Sequence, residues 1–386
     1  MAPGLFPPPP AALCAGLDAL PAALETVLPL KAKHRDALPA GIRTLSGYLT
    51  VDREQLPRDY MSRAPLLAAY LHYFLPWNLY RQGRLLAGLG LDVRPGSRIV
   101  DLGAGPLTFG LALGLARPEL RTRELEYLAI DRSETALRHG RSLFAALAPD
   151  AAWTVQTERK AAGSGRTPRA DLLVAANLLN ELDWQEPRRG RTADPEAETP
   201  HDRLVGRWDD QVAEAGAVLV IEPGTRSAAR NLVRLREAAL ARGWRIAAPC
   251  PHAGECPMPG QRNRSWCHFN FAPDGAPGWL VDLGNRVRLP KDRASLAFLL
   301  LVRGDDPPVR VAGADGGPDR VRVMSEPFDL PSWRRGRYGC AERGLVLLED
   351  DRGGRGPAPG SLLTVTWPDR PRRDPKSGAL VVPRSR

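Results

Sequence analysis

Four cysteines, Cys250, Cys256, Cys267 and Cys340, could together do inorganic chemistry. Thiolates are soft ligands, and four of them complete either a tetrahedral zinc site or an iron–sulfur cubane. They stand in CPHAGECPMPGQRNRSWCHFNF and, much later, in RRGRYGC. The spacings are not the close CxxC knuckles of zinc ribbons, and Pro251, Pro257 and Pro259 make the loop rigid rather than helical. Proline follows a candidate ligand twice, in the manner of ferredoxin-like loops. The competing reading is four unrelated buried thiols, since cysteine is among the residues most often buried. So polar and proline-rich a loop offers little apolar core to hide them in. His252 and His268 are secondary ligand candidates, and Cys14 stands apart.

A second chemistry is carried by RIVDLGAGPLTFGLAL, residues 98–113: an apolar strand, a glycine turn and a helix start. Gly103 and Gly105 permit a tight turn and close approach of the backbone to a ligand, beside a helix N-terminus. The turn opens with Asp101 and lacks full GxGxxG spacing, so a dinucleotide is the weaker ligand. The next strand closes on Asp131, placed where an acid would hydrogen-bond a ribose diol. A further strand runs into AANLLNEL, bringing Asn177, Asn180 and Glu181 to the carboxyl edge of a sheet, where ligands of open α/β sheets bind. Asn180 and Glu181 are the weak catalytic candidates; equally, they would cap the next helix. Glu222, in IEPGT, carries the same ambiguity. No Asp/Asn-Pro-Pro-aromatic motif for amine methylation is present.

Those residues need elements to hold them. Residues 1–90 show apolar positions at helical spacing (Leu17, Leu20, Leu24, Leu28; Leu67, Tyr70, Leu71, Phe74) and read as a helical region. Residues 91–249 alternate strands with helices, as a doubly wound parallel sheet does. Strands are expected at 98–102, 125–130, 153–157, 171–176 and 217–221, with helices at 108–116, 133–147 and 227–242. Residues 160–169 and 186–203 read as solvated loops. A cysteine-rich insertion with the last sheet strands (250–310) and a β-rich region with the fourth cysteine (311–366) follow, then a basic tail (367–386) expected to be disordered.

The bulk composition bounds the partners. Lysine and arginine number 54 against 44 acids, a net charge of +10, which favours a polyanion unless it reflects a GC-rich genome. The apolar stretch around Leu66–Leu75 is far short of the roughly 18 residues that cross a bilayer, so no membrane partner is expected. The opening MAPGLFPPPP lacks a basic signal-peptide region, and the chain reads as cytoplasmic. Clustered cysteines in so long a chain suit a reducing compartment.

Taken together, YMSRAP (residues 60–65), DLGAGP, NLLNEL, IEPGT and above all CPHAGECP followed by WCHF resemble the methyltransferase-like family of mitochondrial small-ribosomal-subunit assembly factors and their bacterial relatives. The likeness spans roughly residues 48–340. It implies a class I S-adenosylmethionine-dependent methyltransferase (Rossmann-like) fold, with a [4Fe–4S] cluster on Cys250, Cys256, Cys267 and Cys340. S-adenosylmethionine would lie on Asp101, Gly103, Gly105, Asp131 and Asn177. Leu107 stands where the family's turn usually has glycine, and its side chain would crowd the methionine end of that cofactor. The implied partner is the small ribosomal subunit and its 16S-type rRNA, with no DNA expected.

The RNA-binding candidates are Arg262, Arg264, Arg288, Arg334, Arg335 and Arg337, with Arg286, Lys291 and Arg293 beside them, since guanidinium forks pair with phosphate. Trp266, Phe269, Trp333 and Tyr338 could stack on unpaired bases. The expected function is an rRNA-binding assembly or translation factor. Two alternatives stand beside it: an active rRNA methyltransferase, and a zinc-stapled RNA-binding protein without iron.

Overall fold

A computed structural model describes residues 4–57, 59–179, 182, 184, 198–261, 265–307, 309–310, 316–331, 333–351 and 356–383. The chain begins with helices α1 (Ala11–Val27), α2 (Ala32–Thr50), α3 (Ala64–Ala69) and α4 (Leu75–Leu89), the last two joined through a π-helical turn over Tyr70–Phe74. Leu13, Leu17, Leu20 and Leu24 recur every three to four residues and bury one face of α1. That face sits over later elements: a Cβ on Gly16 would strike Leu115, and one on Gly83 of α4 would strike Leu13.

The central unit follows as β1 (Asp92–Val93), β2 (Arg98–Leu102), α5 (Thr108–Ala116), α6 (Pro118–Arg121), β3 (Leu125–Asp131), α7 (Glu134–Leu147), β4 (Trp153–Arg159), β5 (Ala170–Ala176), α8 (Pro200–Gln211), β6 (Val212–Pro223), α9 (Arg226–Ala241), β7 (Arg245–Ala248), β8 (Phe269–Phe271), α10 (Gly278–Arg286) and β9 (Ala294–Val302). Among the described residues the main sheet runs β4-β3-β2-β5-β6-β9-β7, with β8 on the end of β9. Every pairing along β4-β3-β2-β5-β6 is parallel, whereas β9 runs antiparallel to both β6 and β7. This is the class I methyltransferase order expected from the sequence.

Sheet alternation explains the core. Ile99, Leu172 and Leu219 face a cluster shared with the N-terminal helices, while their neighbours Val100, Leu173, Val218 and Val220 face a second cluster under α8 and α9. With both faces covered, β9 (ASLAFLLLV) can be apolar along nearly its whole length.

A second sheet closes the chain: β11 (Arg320–Val323), β12 (Phe328–Leu330), β13 (Arg334–Ala341), β14 (Gly344–Asp351), β15 (Leu362–Thr364) and β16 (Leu380–Pro383); the short β10 (Val309–Arg310) pairs with β1 instead. Two expectations are corrected here. The tail is not wholly disordered: Leu380–Pro383 pairs in parallel with Val346–Glu349, and Val381 and Val382 pack in clusters on opposite faces of that sheet. The proposed loop at 186–203 gives way to helix from Pro200, because Thr199 and Asp202 form a reciprocal capping box; residues 186–197 lie outside the described residues.

Candidate functional site

Strand order reverses between β2 and β5, and the crevice outside their carboxyl ends is where such sheets bind ligands. There a cleft of about 780 Å³ is lined by Asp101, Gly103, Gly105, Asp131 and Asn177, so the five cofactor candidates lie around one space. Gly103 and Gly105 both take positive φ, +69° and +53°, and a Cβ on Gly103 would lie 2.7 Å from Leu178. Asp131 ties the turn to β3: its Oδ2 accepts the Gly105 N–H at 2.9 Å and its Oδ1 the Ser133 N–H at 2.8 Å. Burial raises the Asp131 pKa against those stabilising bonds.

Asp101 is 1% exposed. The Tyr127 hydroxyl donates to its Oδ2 at 2.6 Å, and its Oδ1 has no partner. Burial pushes its pKa up to about 7. A buried, orphaned carboxylate oxygen beside a glycine turn fits a ligand that brings a cationic donor, such as an amino-acid ammonium. Asp131 retains lone pairs suited to a diol.

Leu107 does not act as expected. It occupies the left-handed region at φ 55°, as the family's usual glycine would, but its side chain is fully buried in the core and does not line the cleft. It packs against α7, where a Cβ on Gly140 would come within 2.7 Å of the Leu107 Cδ1. The expected crowding of the methionine end is therefore overturned. Met61 and Ser62 of YMSRAP lie over the turn instead: the Met61 methyl approaches Gly105, and the Ser62 and Ser133 hydroxyls are 3.0 Å apart. Asn177 is left-handed too, at φ 58°, with its N–H on the Ile221 carbonyl. Asn180 and Glu181 lie outside the described residues. Glu222 is buried and accepts the Leu179 N–H at 2.8 Å, fixing the β5–β6 edge.

The cysteines arrive from three places: Cys250 and Cys256 from the loop after β7, Cys267 from just before β8, and Cys340 from β13. Burial raises all four thiol pKa values, that of Cys256 to about 11, and for Cys267 the charges of Cys250, Cys256 and Cys340 come next among the causes. Among the described residues, no three His, Cys, Asp or Glu side chains stand close enough to hold a metal ion as placed. His252 Nε2 lies 3.3 Å from the Cys340 sulfur, and its buried Nδ1 has no partner. His268 is drawn away, its Nδ1 against the Trp266 carbonyl at 3.0 Å.

Two buried arginines face this cage. Arg236 Nη2 donates to the carbonyls of His252 (3.0 Å) and Gly254 (2.6 Å). Arg322 donates to the carbonyls of Pro249 and Gly360, both at 2.9 Å. Among the described residues neither has a carboxylate partner. A buried cation without a counter-ion is costly, and cysteines that ionise on binding a metal would supply the missing charge. By residue type alone, four cysteines near two buried guanidiniums suit a thiolate-bound centre of net negative charge. The sequence reading missed both arginines. Arg236 was legible, since it lies four residues past Leu232 on the buried stripe of α9; Arg322 looked like one of many strand arginines.

The arginine set divides. Arg288 is exposed, with φ 58°. Arg335 is half-buried, and Arg334 pairs with Glu349 at 2.6 Å. Arg337 is 1% exposed and ion-paired with Asp350, so the expectation that it touches RNA is corrected: its charge is consumed inside the second sheet. Arg262 and Arg264 lie outside the described residues. Phe269 is wholly buried, Trp266 stacks on His268, and Tyr338 packs on Phe328; Trp333 is 77% exposed.

Comparison with known proteins adds the following. The family model described as mitochondrial small ribosomal subunit Rsm22 matches residues 90–273. No curated protein matches the chain. Among solved structures, it is similar to a precorrin-6y C5,15-methyltransferase from Geobacter metallireducens (11% identity, 55% of this chain and 82% of that one, TM-score 0.32). It is similar also to a methyltransferase from Pyrococcus furiosus (11%, 55% and 78%, 0.31) and to a ribosomal protein L11 methylase from Lactobacillus delbrueckii subsp. bulgaricus (16%, 45% and 70%, 0.29). The sheet order given above, rather than these distant likenesses, carries the fold.

Proposed function

We propose that this chain, whose residues 90–273 match the family model described as mitochondrial small ribosomal subunit Rsm22, is a methyltransferase-like small-ribosomal-subunit assembly or translation factor that binds 16S-type rRNA. We propose further that Cys250, Cys256, Cys267 and Cys340 hold a [4Fe–4S] cluster and that the cleft takes S-adenosylmethionine. What supports the reading is that two buried arginines without carboxylate partners among the described residues bind the backbone of the loop that carries Cys250 and Cys256, Arg236 at His252 and Gly254 and Arg322 at Pro249.

When bound, a cluster supplies iron–thiolate bonds that staple the β7–β8 loop to the second sheet. The chain's own groups prepare that join. Arg322 ties β11 to the Pro249 carbonyl, and Arg236 holds the backbone of residues 252–254 around the thiols. In the cleft, Asp131 would take a ribose diol and Asp101 an ammonium, while Gly103 and Gly105 admit the ligand against the backbone. The compartment, read from sequence as cytoplasmic, is for this proposal whichever one holds small subunits under reducing conditions.

Anaerobic purification followed by iron, acid-labile sulfide and zinc analysis tests the centre. Iron and sulfide in equal amounts, lost in Cys340→Ser, are expected; a colourless protein carrying zinc alone would sink the cluster. Incubation with labelled S-adenosylmethionine and immature small subunits separates an assembly factor from an active methyltransferase. Label entering rRNA, and absent with Asp101→Ala, would establish the enzyme.

A further inference from the structure

The cleft is not uniform along its length. Asp101 and Asp131 belong to the β2 and β3 end, where Arg132 and Arg159 also line the wall. At the other end stand Arg81 and Lys291, with Pro223 and Thr225 from the end of β6. Arg81 Nη1 donates to the Ser295 carbonyl at 2.8 Å, at the start of β9, and Nη2 donates to Asn78 Oδ1. Ser295 in turn lies against Gly224, just past β6. Asn78 Nδ2 donates to the Tyr70 hydroxyl at 3.2 Å, so the guanidinium is held in place through the π-helical turn. π-Helical turns recur at functional sites.

Neither Arg81 nor Lys291 has a carboxylate partner among the described residues, and each feels the cleft rather than an acid. Desolvation lowers the pKa of half-buried Arg81 and of Lys291, which still reaches solvent, and the charge of Arg81 lowers that of Lys291 further. Two neighbouring cations without a counter-ion, one of them fixed by two hydrogen bonds, form a receptor for an oxyanion.

The position says which oxyanion. From β3 to β6 is three strand spacings, about 14 Å. A nucleoside ligand with its ribose at Asp131, running over the turn after β2, leaves the β6 end for a second ligand. Phe74, half-buried, lines that end beside Tyr70, their rings 6.1 Å apart and near parallel. An aromatic wall next to paired cations suits an unstacked nucleotide.

We propose that Arg81 and Lys291 bind a backbone phosphate of single-stranded RNA drawn into the β6 end of the cleft, with Phe74 beside its base. This rests on the rRNA reading above and names the part of the RNA that the cleft receives. The same oxyanion receptor could serve the carboxylate of the amino-acid cofactor, and the test separates the two.

The probes are a fluorescent uridine tetranucleotide, S-adenosylhomocysteine, and 5′-methylthioadenosine, which has no carboxylate, each titrated into the full-length protein. Lys291→Glu loses no hydrogen bond or ion pair of the fold; Arg81→Lys keeps charge but not the fork. The tetranucleotide Kd should rise about tenfold in Lys291→Glu, with the salt slope smaller by about 1, and both nucleosides should bind unchanged. Weaker S-adenosylhomocysteine binding with intact methylthioadenosine binding would assign the cations to the cofactor's carboxylate and overturn the proposal. So would an unchanged tetranucleotide Kd in both variants. Intact 16S-type rRNA is titrated in parallel: if it binds the wild type while the tetranucleotide is indifferent to the variants, the subsite alone fails, whereas rRNA that does not bind at all removes both readings.

Discussion

Individual side chains in this protein are set by burial more than by residue type. Asp101 was legible as a site acid from its place before the glycine turn, but only its enclosure decides its protonation. Its folded pKa, about 7, lies above the unfolded value near 3.9. Between those two the native state binds more protons, so stability falls as pH rises through the window, by up to about 1.4 kcal/mol per pH unit, and levels off above it. Asp101→Asn should flatten that part of the profile in denaturant titrations at pH 4–8. Affinity for S-adenosylhomocysteine should also rise in the wild type as pH passes 7, because the ionised form attracts the ammonium; a flat profile would count against that contact. Arg322 makes a second case. Arg322→Met leaves the Pro249 carbonyl without its guanidinium donor, so if the proposed cluster is held there, anaerobic protein should retain less iron than the wild type in a chelator challenge, with Arg236→Met behaving alike.

Elements fix what those residues can reach. Each strand and helix expected between Arg98 and Ala241 is found within about five residues of its expected bounds, because apolar runs and helical stripes are local signals, whereas α6 and α8 were not expected. The turn between β2 and α5 is likewise readable, since only glycine is unstrained at φ +69° with Leu178 so close. Gly103→Ala should weaken nucleoside binding by tenfold or so and lower stability by about 1–3 kcal/mol, read by calorimetry and by unfolding. Leu107 shows the limit of such reading. Its position matched a left-handed turn, yet nothing in the sequence said whether its side chain points to the ligand or to α7. The π turn at Tyr70–Phe74 was hidden as well, because its apolar spacing is helical and only its backbone departs from the α form.

The whole molecule decides which charges are available to a partner. A net charge of +10 attracts RNA at long range, but buried ion pairs subtract from the arginines that can touch phosphate. Arg337→Ala should cost about 3–5 kcal/mol of stability, since it removes an ion-pair partner of the part-buried Asp350, and leave the salt dependence of rRNA binding unchanged. Arg288→Ala should do the opposite, reducing the salt slope by about 0.7–1 at constant stability. Equal behaviour of the two variants would refute this division. The sequence by itself determined the doubly wound sheet, the glycine turn with its two acids, and the set of four cysteines, because each is written in local pattern or in side-chain chemistry. The placing of Cys340 on β13, the burial of Arg236 and Arg322 against the loop after β7, the withdrawal of Arg337 and the gathering of Arg81 and Lys291 along the cleft were decided only by tertiary structure. Each joins residues far apart in the chain, whose nearness depends on how two sheets and a helical layer pack, and no local pattern encodes that packing.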